Sequence, residues 1–349
     1  GEGETDMAKV IAKGAMAAVL AISVLLTMAI SARVQADDSI YFRIGTGSTA
    51  GTYFPVGALI AAIISSPPGS DACDDGGACG VKNLIALATT SQGSIANIEG
   101  IAAGRFDSGF AQADIAAWAY LGHPNFWRRG RAMTSLRAIA NLYPESVHLV
   151  VARHLEITSI RDLKGHRIAI DRPGSGARSS ALAILNAAGL AEGAYTPVTA
   201  GPDQTIRALT IGTADAAFLV AGYPSTAVRE LTDSGDFTLI PLRLSELAGL
   251  KRSNPYFFQH LIPENTYQNT PATPSLAVGA QWVVDASMDP DLIYEVTKAL
   301  WRQENRTTLS GGHEKGRLIR RETALQGLSI PLHPGAERYY REAGIVTPE

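Results

Sequence analysis

The sequence predicts an α/β protein of two lobes joined by two crossing strands, and three observations carry that prediction. Strand-like runs rich in β-branched and aromatic residues alternate with apolar helical stretches, the pattern of a largely parallel sheet covered by helices. A strand, a Gly/Ser loop and a helix open that pattern twice, once at Ile40 and again at Arg167. Two longer apolar stretches, 136–151 and 275–284, suit segments that pass from one lobe to the other and back.

In order along the chain, residues 40–45 read as a strand, 46–51 as a glycine turn, and Pro55 to Ile64 as an apolar helix. Residues 84–88 form a second strand, followed after Thr89 to Ser94 by a helix that carries Ile95, Ile98 and Ile101 and runs to Gly104. Residues 108–111 form a third strand, with Asp114 read as the N-cap of a helix bearing Ile115, Trp118 and Ala119. The stretch 136–151 holds two strand-like runs, broken by Tyr143-Pro144-Glu145-Ser146. The second series begins with a strand over 167–171, the loop 172–176 and a helix over 177–188 that Gly189 ends. Strands over 214–220 and 237–242 flank a helix that starts near Ser225, and the proline-rich stretch 255–274 leads to the return strand. Helices over 290–305, 322–324 and 334–343 complete the chain.

The composition sets limits on function. The 349 residues are 46% apolar and 18% charged, enough to bury a core, and the net charge of −3 offers no basic surface for nucleic acid. Two cysteines, and seven histidines that never stand at ligand spacing, argue against a dedicated metal centre, and no cofactor is expected. No Gly-x-Ser-x-Gly elbow, His-Glu-x-x-His or catalytic-cysteine setting occurs, and His148 reads as a core residue, so the protein is not expected to be an enzyme.

From Met7, the lysines Lys9 and Lys13, the uncharged run 14–32 and the small-residue site Val34-x-Ala36 have the form of an export signal cleaved after Ala36. The alternative is an uncleaved anchor, since the run approaches the ~20 residues that span a bilayer. Export implies an oxidising compartment, which favours a bridge between Cys73 and Cys79 over two free thiols on a surface loop.

Ligands of open α/β sheets bind beyond the strand ends, at helix N-termini, so the glycine loops are expected to face the cleft between the lobes. Gly47 and Ser48 of the first loop, with Tyr53 after it, are one candidate set. Thr90 and Ser91 are a second, and Pro173, Gly174, Ser175 and Gly176 a third, with Arg178 adding charge. The first loop is a poor dinucleotide fingerprint, because Ala50 stands where glycine is wanted, and the third lacks the Gly-Lys-Ser/Thr ending of a nucleotide loop. Gln112, at a buried strand end, and Tyr223, just past another, complete the candidate pocket. The competing readings are ordinary tight turns and solvated helix caps for the loops, and tyrosines packed in the lobe interface.

Several of these segments together resemble a known family. Gly45-Thr-Gly-Ser-Thr-Ala-Gly-Thr-Tyr-Phe-Pro-Val-Gly57, Leu142-Tyr-Pro-Glu-Ser-Val-His-Leu-Val150, Asp162-Leu-Lys-Gly165, Pro173-Gly-Ser-Gly176, Gly222-Tyr-Pro224 and Ile330-Pro-Leu-His-Pro-Gly-Ala-Glu337 are similar to the TAXI solute-binding proteins. Those are extracytoplasmic receptors of tripartite ATP-independent periplasmic (TRAP) transporters. Asp171-Arg172 before Pro173 departs from the pattern, where smaller or apolar residues are usual, and touches the pocket rim. The Cys73–Cys79 loop is a further departure.

The resemblance implies a type II periplasmic-binding-protein clamshell which, after the upstream residues and cleaved signal of 1–36, has one lobe over 37–143 plus 287–349 and the other over 144–286. The crossing strands fall near 141–147 and 276–286. It also implies a periplasmic receptor that captures a small organic acid or amino acid, such as a dicarboxylate, 2-oxoglutarate, glutamate or glutamine. Its partners would be the integral-membrane TRAP permease subunits. An ATP-driven uptake receptor and an exported enzyme are the rival readings.

Overall fold

A computed structural model describes residues 39–123, 131–247 and 249–345. The export-signal call falls on residues outside this range. Among the described residues, no helix is long and apolar enough to cross a membrane.

The strands of the first half are β1 (Ile40–Gly45), the short β2 (Ser65–Ser66) and β3 (Val81–Lys82), β4 (Leu84–Thr89) and β5 (Ser108–Gln112). β6 (Leu136–Ala152) is the first long strand; β7 (Arg167–Ala169), β8 (Thr196–Val198), β9 (Ala216–Ala221), β10 (Phe237–Ile240) and β11 (Phe258–Ile262) follow, and β12 (Thr273–Asp285) is the second. The sheet runs β3-β2-β4-β1-β5-β12-β6-β9-β7-β8, with β10 on β6 and β11 on β12. β4, β1 and β5 are parallel, as are β9, β7 and β8. β6 and β12 are antiparallel to each other and supply the junction.

Each long strand contributes to several buried clusters along its length. The first part of β6 opposes Gln281 to Asp285, of which Gln281 to Val284 also pair with β5, whereas its second part pairs with β9 and β10. On one side Phe42, Ile44, Phe110 and Trp282 form a core with α1 (Tyr53–Ile64). On the other, Val147, Leu149, Ile168 and Phe218 pack together with Ile184. This is the two-lobed α/β fold with two crossing strands.

The remaining helices are α2 (Ser94–Ala102), α3 (Ala113–Leu121), α4 (Gly176–Ala187), α5 (Pro202–Thr210), α6 (Thr226–Asp233), α7 (Leu250–Ser253), α8 (Pro290–Leu300), α9 (Gln303–Gly312) and α10 (Pro334–Glu342).

The structure corrects three local expectations. β6 runs unbroken through Pro144, because Pro144 faces Gly279 of β12 while pairing to β9 begins only at Ser146, so its missing N–H leaves no ladder partner unsatisfied on that side. Asp114 is not an N-cap: Gln112 holds that position, and Asp114 lies buried in the first turn of α3, accepting from the Ile115 amide and from Asn254. The helix expected over 290–305 is divided at Trp301 and Arg302 into α8 and α9. Cys73 and Cys79 are joined in a disulfide with Cα atoms 4.6 Å apart.

Candidate functional site

The loops that follow β1, β4 and β7 meet around a cavity of about 70 Å³. Gly47, Ser48, Thr52 and Tyr53 line it from the first loop, Ser91 to Ser94 from the second, and Asp171, Arg172, Ser175, Gly176 and Ala177 from the third. Gln112, Glu145, Pro202 and Val220 close it.

One buried side chain ties the first two loops together. Asn97 donates to the carbonyl oxygens of Thr46 (2.6 Å) and Phe110 (2.8 Å), while its own oxygen accepts from the Ser91 hydroxyl at 2.6 Å. The Ser91 hydroxyl in turn accepts from the Gly93 amide, and Thr46 donates its hydroxyl to the Thr89 carbonyl. These hydroxyls therefore hold the loops in shape. The second and third loops also touch: the Ala96 amide donates to the Gly174 carbonyl at 3.1 Å.

At the cavity wall Tyr53 Oη donates to Glu145 Oε2 at 2.6 Å, and Ser94 Oγ accepts from the Gln112 amide. Glu145 is 3% exposed, and that burial pushes its carboxyl up to about 8. The Tyr53 hydrogen bond and the Lys315 charge oppose the rise, while Asp114 adds to it. Asp114 is itself raised to about 6 by burial. At neutral pH Glu145 is thus a carboxylic acid able to donate a hydrogen bond.

The cavity's cation is Arg172. Its guanidinium lies flat on Gly201, where an added Cβ would come within 2.4 Å of Nη2 and 2.5 Å of Nε. Its Nε is buried with no hydrogen-bond partner, and the group makes no ion pair. Next to it, Gly176 and Ala177 are the first two residues of α4, whose amides have no acceptor inside the helix. The Ser175 hydroxyl caps the same helix by accepting from the Arg178 amide at 3.1 Å.

Of the residues singled out in the sequence, Gly47, Ser48, Tyr53, Ser91, Gln112, Ser175 and Gly176 line this cavity. Thr90 and Pro173 are exposed outside it, and Gly174 is committed to Ala96. Tyr223 is also off the cavity, because the Lys315 ammonium sits 3.7 Å from the centre of its ring. Gly222 makes that arrangement possible: a Cβ there would lie 2.5 Å from Lys315 Cε. Lys315 is 1% exposed, and its burial pulls the ammonium down to about 8. Arg172 and Asn97 were not foreseen as site residues. The signal available for Arg172 was its place at the pocket rim, within the Asp171-Arg172 departure.

With this geometry in place, residues 44–344 match the NMT1-like family. The chain belongs to the NMT1-like family. Solved structures are similar to this NMT1-like chain at low identity. MatC from Rhodopseudomonas palustris with bound malate is 14% identical over 86% of this chain and 97% of its own, with a TM-score of 0.52. A second R. palustris protein, with adipate, is 15% identical over 87% and 93%, at 0.50. The alkanesulfonate-binding protein SsuA from Xanthomonas axonopodis pv. citri, bound to MOPS, is 16% identical over 86% and 83%, at 0.48.

Proposed function

We propose that this protein is a periplasmic solute receptor of the TAXI kind, which captures a small carboxylate in the cavity and delivers it to an ion-gradient-driven TRAP permease. The lobes of the working receptor are 37–143 with 287–349, and 144–286, closing by hinge motion on β6 and β12. The observation that carries this reading is Arg172: an unpaired guanidinium on a cavity wall, beside the open N-terminus of a twelve-residue helix, calls for an anion. Neutral Glu145 then donates to a second carboxylate or a carbonyl. The malate and adipate held by the two R. palustris proteins of the same fold are of this chemical class.

The test is calorimetric titration of ligand-stripped protein with malate, succinate, 2-oxoglutarate, glutamate and glutamine, against neutral sugars. A hydrogen bond to a charged group contributes about 1.5–3 kcal/mol, so Arg172→Ala should weaken the best carboxylate by roughly 10- to 150-fold. Binding of sugars alone, with every carboxylate silent, would overturn the anion reading. Glu145, with its raised pKa, is what an enzyme reading would use; recovery of chemically unchanged ligand after long incubation separates a receptor from that alternative. Uptake reconstituted with an ion gradient and without ATP separates the TRAP partner from an ATP-driven one.

A further inference from the structure

We propose that the protein carries a second anion site, remote from the first cavity in its lining residues, that takes a phosphate group. A cavity of about 200 Å³ lies between α9 and the segment that follows it. Leu309 and Ile319 are its buried floor, and Arg302, Arg306, Arg320 and Arg321 are on its lining. Arg302 is the N-cap of α9 and Arg306 stands one turn on, so both occupy the same helix face; the other two come from the facing segment.

Among the described residues, none of these four guanidinium groups has an ion pair or side-chain hydrogen bond. Other arginines do find carboxylates: Arg43 pairs with Asp107, Arg167 with Asp215 and Arg338 with Asp291. The new cavity has a single carboxylate on its lining, Glu322, in a chain whose net charge is −3. Four like charges around one hollow repel each other, and like charges one helical turn apart weaken the helix that bears them. An occupant that supplies negative charge relieves both costs. Planar guanidinium forks match tetrahedral oxyanions bidentately, and a phosphate with up to two charges satisfies four arginines better than a carboxylate with one.

Such a group comes either on a soluble phosphate compound or on an anionic lipid headgroup, and two arms of one experiment distinguish them. The full chain is titrated with pyrophosphate at low salt by calorimetry, and is floated with vesicles of phosphatidylglycerol or of phosphatidylcholine. The expected result is binding in at least one arm, weakened at least tenfold in the Arg306→Ala, Arg320→Ala double variant, with carboxylate titrations and circular dichroism unchanged. Pyrophosphate binding assigns the site to soluble phosphates; flotation with phosphatidylglycerol alone assigns it to a headgroup. No binding in either arm, equal flotation with phosphatidylcholine, or binding that survives the double variant within twofold overturns the proposal. Neither result depends on what the first cavity holds.

Discussion

Replacing Glu145 by glutamine should flatten the pH dependence of stability between about 5 and 8. The side chain is buried and its carboxyl is raised from 4.5 to about 8, so over that interval the folded protein holds a proton that the unfolded chain has released. Stability then falls as pH rises through the window, because the native state binds the more protons. At about 1.36 kcal/mol for each pH unit, the interval is worth on the order of 5 kcal/mol, an upper bound for a group that can relax on ionising. Glutamine keeps the shape and still accepts from the Tyr53 hydroxyl, but carries no proton to lose. Melting temperature measured from pH 4.5 to 8.5 should therefore show wild type and Glu145→Gln close together at the acid end and the variant ahead at pH 8. Asp114, raised from 3.8 to about 6, adds a slope of the same sign in both proteins and confines it to the lower part of the range. Lys315, lowered to about 8, acts with the opposite sign and only above that pH. Equal slopes in wild type and variant between pH 6 and 8 would refute the assignment of that titration to Glu145.

Gly222→Ala puts a methyl within 2.5–2.9 Å of the Lys315 stem and should cost roughly 1–3 kcal/mol by overpacking, read in urea melts; combining it with Lys315→Ala should recover much of that loss. Asn97→Ala removes a donor from the Thr46 and Phe110 carbonyls and leaves only the Ser91 hydroxyl on Thr46, which should lower stability by roughly 1–3 kcal/mol and carboxylate affinity with it. Ser175→Ala should cost about 1 kcal/mol through the lost cap while retaining most affinity, and Ser175→Trp should abolish binding by filling the cavity, both checked by thermal shift with and without ligand.

The repeated β-loop-α units were legible because each apolar run is punctuated by Gly, Ser or Pro, and local punctuation is what a single sequence carries. The loops before α1, α2 and α4 fall where the chain predicted them, and with them most of the cavity wall. What escaped depends on residues distant in sequence. Arg172 lines the cavity because Gly201, at the head of α5, leaves its Cβ space empty. Tyr223 is turned to Lys315, nearly a hundred residues later, and nothing near either residue announces the pairing. Asn97 reads locally as an unremarkable polar residue in a helix, and only the convergence of two loops with β5 gives its amide three partners. The pause at Pro144 was visible, but whether a proline ends a strand depends on which neighbours need its amide.

The double crossing of β6 and β12 also makes the two cores differ in the length of chain each must gather. One core draws its residues from Val147 to Val278, a continuous length of chain that is complete once β12 has begun to emerge. The other joins Phe42 and Ile44 to Trp282, Ile293 and Tyr340, so its opening strand must wait for nearly the last helix to be made. Contacts of such wide separation are slow to form, and the apolar face of β1 and α1 stays uncovered meanwhile. The first core can thus close within one continuous stretch, whereas the second waits for Phe42 and Tyr340 to be brought together.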